Sequence, residues 1–498
     1  MLKKIPLIAF PVLTSLLLVL AYPNFNLGWL AWAALGPLSY YLLKVKSRRA
    51  AALGGLVCGA LFYAGILYWI YPTMRAGGVG PAVSALGLLL LSLTLSLEFV
   101  AISLYGFYLK KTGPWLWPYL FALGWFLLEY GKVLLSREAV WFPWFMLGYT
   151  QWAHTALIQV CSVTGVYGLS AAVCLTGALL GALAASDLPR PRRALRALPA
   201  LLLPAALYVY GRRELAGIPA PERTLGTALL QPSIDQYAKW DAAEAAGIAG
   251  TMEGLSARAA GAELTVWPEN ALPCWIDDPA CYAWLKKAVS PRAGASIVGS
   301  VSKGEGRHVS AFLLDGRGEI KAAYDKRQLV PFGEYVPLRG FLGRFIEPVA
   351  ALGEFRPGAA DQPLFRLDGL KLGVAVCYES IFPYLFAQDA AAGADLFVNI
   401  TNDGWYLDTA APYQHFAANI FRAVETRRTL VRAANNGISG VIDPWGRVLA
   451  RTALNERAVL AAEAPVYRPR SLFAAYGGLE ALAAALAAGA FLLAVLFI

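Results

Sequence analysis

Long apolar runs separated by short polar loops fill the first 215 positions, and a different rhythm replaces them afterwards. A membrane-crossing helix needs about 20 mainly apolar residues. Seven stretches fit that description, near 6–22, 27–43, 51–71, 82–109, 115–135, 155–185 and 197–211, and an eighth runs from about 472 to 497. Residues 6–22 follow Lys3 and Lys4 as a secretory signal would, but no small-residue cleavage site follows and another span begins at once. They are read as a retained helix. From about 220 to 470 the apolar runs shorten to strand length: Gly226–Gln231, Glu263–Trp267, Ser296–Val301, Ser310–Leu314, Leu372–Cys377, Leu396–Ile400, Leu430–Ala434 and Ile438–Ile442. Helical stretches near 238–260, 280–289, 384–393 and 411–428 separate some of them, which predicts a layered α/β domain. The expected fold is therefore a multi-pass helical membrane bundle over 1–215, a water-facing domain over 220–468 and a final span over 472–497.

Composition sharpens this division. The chain is 58% apolar and only 15% charged, against about 25% charged in a typical soluble protein. The net charge of +10 does not imply a nucleic-acid partner, because no basic stripe interleaved with aromatics accompanies it. The excess sits instead in alternate loops: Lys3 and Lys4; Lys44, Lys46, Arg48 and Arg49; Lys110 and Lys111; Arg190, Arg192, Arg193 and Arg196. The opposite loops hold only Arg75, Lys132 and Arg137, so the positive-inside bias places the N-terminus in the cytoplasm. Seven crossings then put 212–471 outside and the eighth returns the C-terminus; Arg212 and Arg213 dissent. The Trp- and Phe-rich stretch 136–153 is too short to span and is expected to lie in the interface. Glu98 and Glu129 fall inside spans, where carboxylates face a bundle interior or a functional cavity.

Six cysteines and three histidines match no zinc spacing, so no metal is expected, nor any other cofactor. Cys58, Cys161 and Cys174 lie in apolar stretches as small hydrophobes. Cys274 and Cys281 would pair in an oxidising compartment, but sequence does not give their geometry, and both states stay open. Cys377 ends the apolar strand of Leu370-Lys-Leu-Gly-Val-Ala-Val-Cys-Tyr-Glu-Ser and precedes a helix start. Such an elbow exposes a thiol to backbone N–H groups that stabilise a thiolate or oxyanion. Taken alone, a cysteine ending an apolar strand is more often inert core. Trp267-Pro-Glu-Asn places Glu269 at a strand end, and Tyr324-Asp-Lys-Arg-Gln-Leu-Val-Pro-Phe-Gly-Glu-Tyr places Lys326 and Glu334 in a punctuated loop. A carboxylate could serve as base and a lysine as oxyanion partner for the thiol. Surface ion pairing explains the same residues as well.

The motifs WPEN, YDKRQLVPFGEYVP, GVAVCYES and NITNDGWY, in this order, resemble the signatures of the nitrilase superfamily, an αββα sandwich with a Glu–Lys–Cys triad. Phe142-Pro-Trp, Leu147-Gly-Tyr, Gly165-Val-Tyr-Gly-Leu-Ser, Pro412-Tyr-Gln-His and Arg422-Ala-Val-Glu-Thr-Arg-Arg further resemble the apolipoprotein N-acyltransferases of the bacterial inner membrane, across essentially the whole chain. The resemblance implies Glu269 as general base, Lys326 as oxyanion stabiliser and Cys377 as nucleophile. It implies supporting roles for Glu334, for Tyr378, whose N–H would meet the oxyanion, and for Glu379. Trp240 resembles a family tryptophan near the substrate entrance, a position equally suited to packing. Phe341 and Phe345 lie within the apolar loop Phe341–Leu352, which is expected as a lid or an arm that dips into lipid, with ordinary core packing as the alternative. Gly404 stands where the family commonly has Ala, a small-for-small departure. The implied reaction takes the sn-1 acyl chain of phosphatidylethanolamine through a thioester on Cys377 to the α-amine of a diacylglyceryl-cysteine apolipoprotein. A monomer suffices for it, with the water-facing domain in the periplasm. A membrane-tethered amidase and a transporter with a nitrilase-like regulatory domain are the competing expectations. Eight spans exceed what a tether needs, and no paired broken helices or inverted repeat supports transport.

Overall fold

The computed structural model describes residues 6–137, 141–237, 239, 241–289, 294–304, 306–335, 355–476 and 488–489. The chain divides into two compact units, one of Met1–Ile218 with Thr409–Ala417 and Tyr476–Ile498, the other of Pro219–Asp408 with Ala418–Ala475. The final span expected over 472–497 lies almost wholly outside the described residues.

The first unit is helical: α1 (Ala9–Ala21), α2 (Ala31–Lys44), α3 (Arg48–Ile66), α4 (Ile70–Ala76), α5 (Pro81–Leu95), α6 (Leu97–Tyr108), α7 (Gly113–Arg137), α8 (Thr155–Ile158), α9 (Cys161–Ala185) and α10 (Arg190–Ala216). Among the described residues, four apolar helical stretches are long enough to cross a membrane: Arg48–Ile66, Pro81–Arg137, Cys161–Ala185 and Pro191–Ala216. The apolar α1 is shorter. The stretch Pro81–Arg137 has 57 residues, far more than one crossing of about 20 uses. It folds back on itself: Trp117 Nε1 of α7 donates to Gly106 O of α6 at 2.7 Å, and Tyr105 OH donates to Leu120 O at 3.1 Å. Without a hydrophobic drive inside lipid, helices associate where small residues let backbones approach. A Cβ on Gly55 of α3 would lie 2.4 Å from Phe99 O of α6, and one on Gly181 of α9 would lie 2.4 Å from Gly36 O of α2.

In the stretch expected at the interface, residues 143–151 are buried, and Glu98 and Glu129 help hold the segment. Glu98 Oε1 accepts from Trp141 Nε1 at 2.5 Å, and Glu129 Oε1 accepts from Leu147 N at 2.7 Å. Lys132 pairs with Glu98 at 3.3 Å, so neither the lysine nor that carboxylate is buried alone.

The second unit stacks two six-stranded sheets. One has the order β12-β1-β2-β3-β4-β5, from β1 (Arg223–Gln231), β2 (Leu264–Val266), β3 (Ala295–Ser302), β4 (His308–Leu314), β5 (Ile320–Asp325) and β12 (Ala458–Val466). The other has the order β11-β10-β9-β8-β7-β6, from β6 (Phe365–Leu367), β7 (Leu370–Val376), β8 (Leu396–Thr401), β9 (Thr429–Ala434), β10 (Gly440–Ile442) and β11 (Val448–Arg451). In both sheets the central strands β1–β2–β3 and β7–β8–β9 are parallel and the flanking pairs antiparallel. Alternation along each strand sends one set of side chains inward and the other outward. Leu225 and Leu229 join the core between the sheets, while Ala228 and Leu230 face the helices α11 (Ala245–Arg258) and α12 (Pro279–Val289). On the second sheet, Phe386 of α13 (Pro383–Ala391) packs on Phe397 of β8 with ring centroids 4.8 Å apart. The helix α14 (Ala411–Thr426) precedes β9. Cys274 and Cys281 form a disulfide across seven positions, at the entry to α12.

Candidate active site

Strands of both sheets end close to one another, and their exits carry the polar residues. β2 runs into Trp267-Pro268 and delivers Glu269, 3% exposed. Gly299 of β3 passes so close that a Cβ there would lie 2.7 Å from Glu269 Cα, which requires glycine. β5 ends at Asp325 and delivers Lys326, fully buried, its backbone tied to Val309 O at 2.9 Å. From the other sheet, β7 delivers Cys377, 4% exposed, with φ at +52°. A left-handed non-glycine residue costs about 1–2 kcal/mol, and such strain held by its surroundings marks functional turns.

Lys326 Nζ joins the carboxylates, donating to Glu269 Oε1 at 3.3 Å and to Glu334 Oε1 at 2.5 Å. An ammonium has three donors, so among the described residues one N–H is left for a third acceptor. Glu334 Oε2 also accepts from Val330 N at 2.8 Å, and Glu269 Oε2 accepts from Asn402 N at 2.9 Å. Burial alone would lower the Lys326 ammonium, but Glu269 and then Glu334 hold it above the ordinary lysine range. Burial pushes Glu334 up, opposed by Lys326. Burial pushes the Cys377 thiol far up and the Glu269 charge adds to this; Lys326 and a hydrogen bond with Thr401 pull it back. A thiol held up in this way gains from a base beside it when it attacks.

The remaining expected residues divide. Glu379 is fully buried and accepts from Tyr324 OH at 2.9 Å, Arg327 N at 2.6 Å, Gln328 N at 3.1 Å and Val376 N at 2.7 Å. One carboxylate thus ties the strand end before Cys377 to the loop after Lys326. Tyr378 is buried, with its ring edge-on to Phe382 at 5.1 Å. Trp240, Phe341 and Phe345 lie outside the described residues. Gly404 is tighter than a small-for-small exchange implies: a Cβ there would meet Asn402 Oδ1 at 3.0 Å and Gln236 Cβ at 3.1 Å.

Several neighbours carried no expectation. Asn402 holds Glu269 through its backbone while its own side chain is locked: Oδ1 accepts from Asn435 Nδ2 at 3.0 Å and Nδ2 donates to Gln236 Oε1. Behind it, Arg432 and Asp403 form a fully buried ion pair at 2.8 Å. Buried Lys239 donates to Glu269 O at 3.3 Å. Asn402 and Asp403 stand inside the NITNDGWY motif, which signalled the region but not these contacts.

Residues 226–471 match the carbon-nitrogen hydrolase family model, and residues 14–179 match that of the apolipoprotein N-acyltransferase N-terminal domain. A Geobacter metallireducens protein named apolipoprotein N-acyltransferase is 37% identical over 97% of this chain and 94% of its own length. An Azotobacter vinelandii protein of the same name is 35% identical over 90% of this chain and 87% of its own. Among solved structures, an amidase variant from Nesterenkonia, with an acetamide moiety covalently added at its active site cysteine, is 23% identical with a TM-score of 0.40. That match covers 53% of this chain and 99% of the amidase.

Proposed function

The chain belongs to the apolipoprotein N-acyltransferase family, and we propose that Glu269, Lys326 and Cys377 carry out its acyl transfer as base, oxyanion partner and nucleophile. The observation that supports this assignment best is Lys326 Nζ held between Glu269 at 3.3 Å and Glu334 at 2.5 Å, in electrostatic reach of a buried thiol.

The donor is a phospholipid, phosphatidylethanolamine at its sn-1 ester. Glu269 takes the proton of Cys377 as Sγ bonds to the ester carbonyl carbon. The negative charge that forms on the carbonyl oxygen meets the remaining Lys326 N–H and the Tyr378 N–H. Collapse breaks the ester C–O bond, and Glu269 returns the proton to the departing lysophospholipid oxygen, leaving a thioester on Cys377. The α-amine of a diacylglyceryl-cysteine apolipoprotein then attacks the thioester. Glu269 takes its proton and delivers it to the leaving Sγ, so the amide forms and the thiol is restored. Removing one donor from an oxyanion site of this kind costs about 2.7–4 kcal/mol of transition-state stabilisation. Glu334 orients Lys326, and Glu379 fixes the spacing between the lysine loop and the nucleophile.

Both substrates carry acyl chains, so each meets the enzyme from a membrane, which is why membrane helices accompany nitrilase-like chemistry. Residues 1–215 are the membrane region with seven crossings, 220–468 the periplasmic catalytic domain and 472–497 the last span, with both termini cytoplasmic in the bacterial inner membrane. The chain acts as a monomer. Trp240, Phe341 and Phe345 contact the lipid substrates.

The test supplies purified chain with acyl-labelled phosphatidylethanolamine and a diacylglyceryl lipopeptide. Label in an amide on the lipopeptide is expected. Label found only as fatty acid, at the same rate with and without the lipopeptide, would establish hydrolysis instead.

A further inference from the structure

The geometry points to an anionic glycerophospholipid bound in the cavity between α7, α9 and α10, a site within the helical unit and independent of the acyl-transfer reading. The cavity measures about 380 Å³, the size of small-molecule sites. Its wall is mainly apolar, from Trp115 and Tyr119 of α7, Leu183 of α9 and Leu195 of α10, and its charged members are Arg192 and Arg196. Among the described residues no carboxylate lines it, and Asp187 in the adjoining segment is exposed.

The two arginines stand out from their basic neighbours. Lys44 Nζ donates to Ala185 O at 2.8 Å, Lys110 Nζ to Val45 O at 2.5 Å and Arg193 to Ser186 O at 2.8 Å. Each of these cations already satisfies a carbonyl. Arg192 makes no hydrogen bond or ion pair among the described residues, and the Arg196 guanidinium lies over the Trp115 ring. Four residues apart on one helix, the pair repels itself, and a shared anion removes that cost. Basic pockets between membrane helices, with apolar walls beside them, suit a lipid phosphate whose chains continue into hydrocarbon. Here the exposed Leu198 and Leu202 extend the apolar side of α10 beyond the cavity. A bare phosphate would gain nothing from those walls, so the occupant is the lipid.

The test uses the delipidated full chain in detergent, with phosphatidylglycerol or phosphatidylethanolamine added and retention read by native mass spectrometry. Wild type is expected to hold phosphatidylglycerol, and to hold it beside bound phosphatidylethanolamine, which the catalytic site takes as donor. Arg192→Gln with Arg196→Gln should weaken phosphatidylglycerol retention about thirty-fold, equivalent to about 2 kcal/mol. Leu183→Trp, which fills the cavity without changing charge, should weaken it too. Arg48→Gln with Arg49→Gln removes equal charge from another loop and should leave it intact. Because phosphatidylethanolamine also meets the catalytic site as donor, the deciding readout is phosphatidylglycerol: unchanged phosphatidylglycerol retention in either cavity variant, equal loss in the Arg48/Arg49 control, or displacement by millimolar inorganic phosphate would overturn the proposal.

Discussion

Replacing Glu379 by Gln changes one oxygen to an NH2 group and removes one charge, at the point where the two halves of the site are tied. Glu379 Oε1 accepts from Arg327 N at 2.6 Å, Gln328 N at 3.1 Å and Tyr324 OH at 2.9 Å, while Oε2 accepts from Val376 N at 2.7 Å and the same hydroxyl at 2.9 Å. The amide nitrogen does least harm in place of Oε2, where the Tyr324 hydroxyl can turn to accept from it. The Val376 N–H is then orphaned, at a cost of about 1–3 kcal/mol. The two remaining backbone bonds lose their charge assistance, about 1 kcal/mol each. Burial already pushes the Glu379 carboxyl up, so neutralising it returns part of this, and the net loss is about 2–4 kcal/mol. Val376 directly precedes Cys377 and Arg327 directly follows Lys326, so a shift of about 1 Å would also slow transfer about 100-fold. Thermal unfolding of the purified variant should fall by several degrees, together with its transfer rate to lipopeptide. Tyr324→Phe, which removes a single donor, should cost about 1 kcal/mol and little rate. Wild-type melting and wild-type rate in Glu379→Gln would refute the reasoning.

Three further outcomes are expected. Glu269→Gln should end turnover yet make Cys377 alkylate faster with iodoacetamide at neutral pH, because it removes a charge that raises the thiol and leaves Lys326 to lower it; slower alkylation, read by intact mass, would contradict this. Burial lowers Lys239 to about 8, partly opposed by Glu269, so the wild-type pH–rate profile should inflect near 8 and lose that inflection in Lys239→Gln. The sign for stability is separate: the folded value lies below the unfolded value of about 10.4, so charged Lys239 costs stability below 8, and the cost is relieved as pH rises from 8 toward 10.4. Cys274→Ala with Cys281→Ala should cost about 2–3 kcal/mol, the closure entropy of a loop this short, measured by denaturant unfolding of the catalytic unit; no change in midpoint would show that the bridge adds nothing.

The motifs made Glu269, Lys326, Glu334 and Cys377 legible because each follows a strand whose apolar run is plain in sequence. What brings them together is long-range: Asn402 N reaches Glu269 from the opposite sheet across 133 positions, and local pattern holds no trace of that. Strands β5, β6, β11 and β12 went unread for a different reason. They flank the sheets, and β11 alternates half-buried with exposed residues, so they lack the continuous apolar signal of β7 or β8. In the membrane unit, apolar runs marked helices well but not their breaks. The run 82–109 divides at Ser96, and α9 kinks where Gly165 takes φ +63°. The stretch 136–153 looked interfacial because its aromatic rings suit that environment. Its bonds to Glu98 and Glu129 depend on carboxylates contributed by helices α6 and α7.

The most direct measurement is the intact mass of the chain after incubation with phosphatidylethanolamine alone. The expected result is one added acyl chain on Cys377, released by hydroxylamine as a thioester, absent in Cys377→Ala, and discharged when lipopeptide is added. An acyl chain on another residue, or transfer to lipopeptide that persists in Cys377→Ala, would contradict the assignment of Cys377 as the nucleophile.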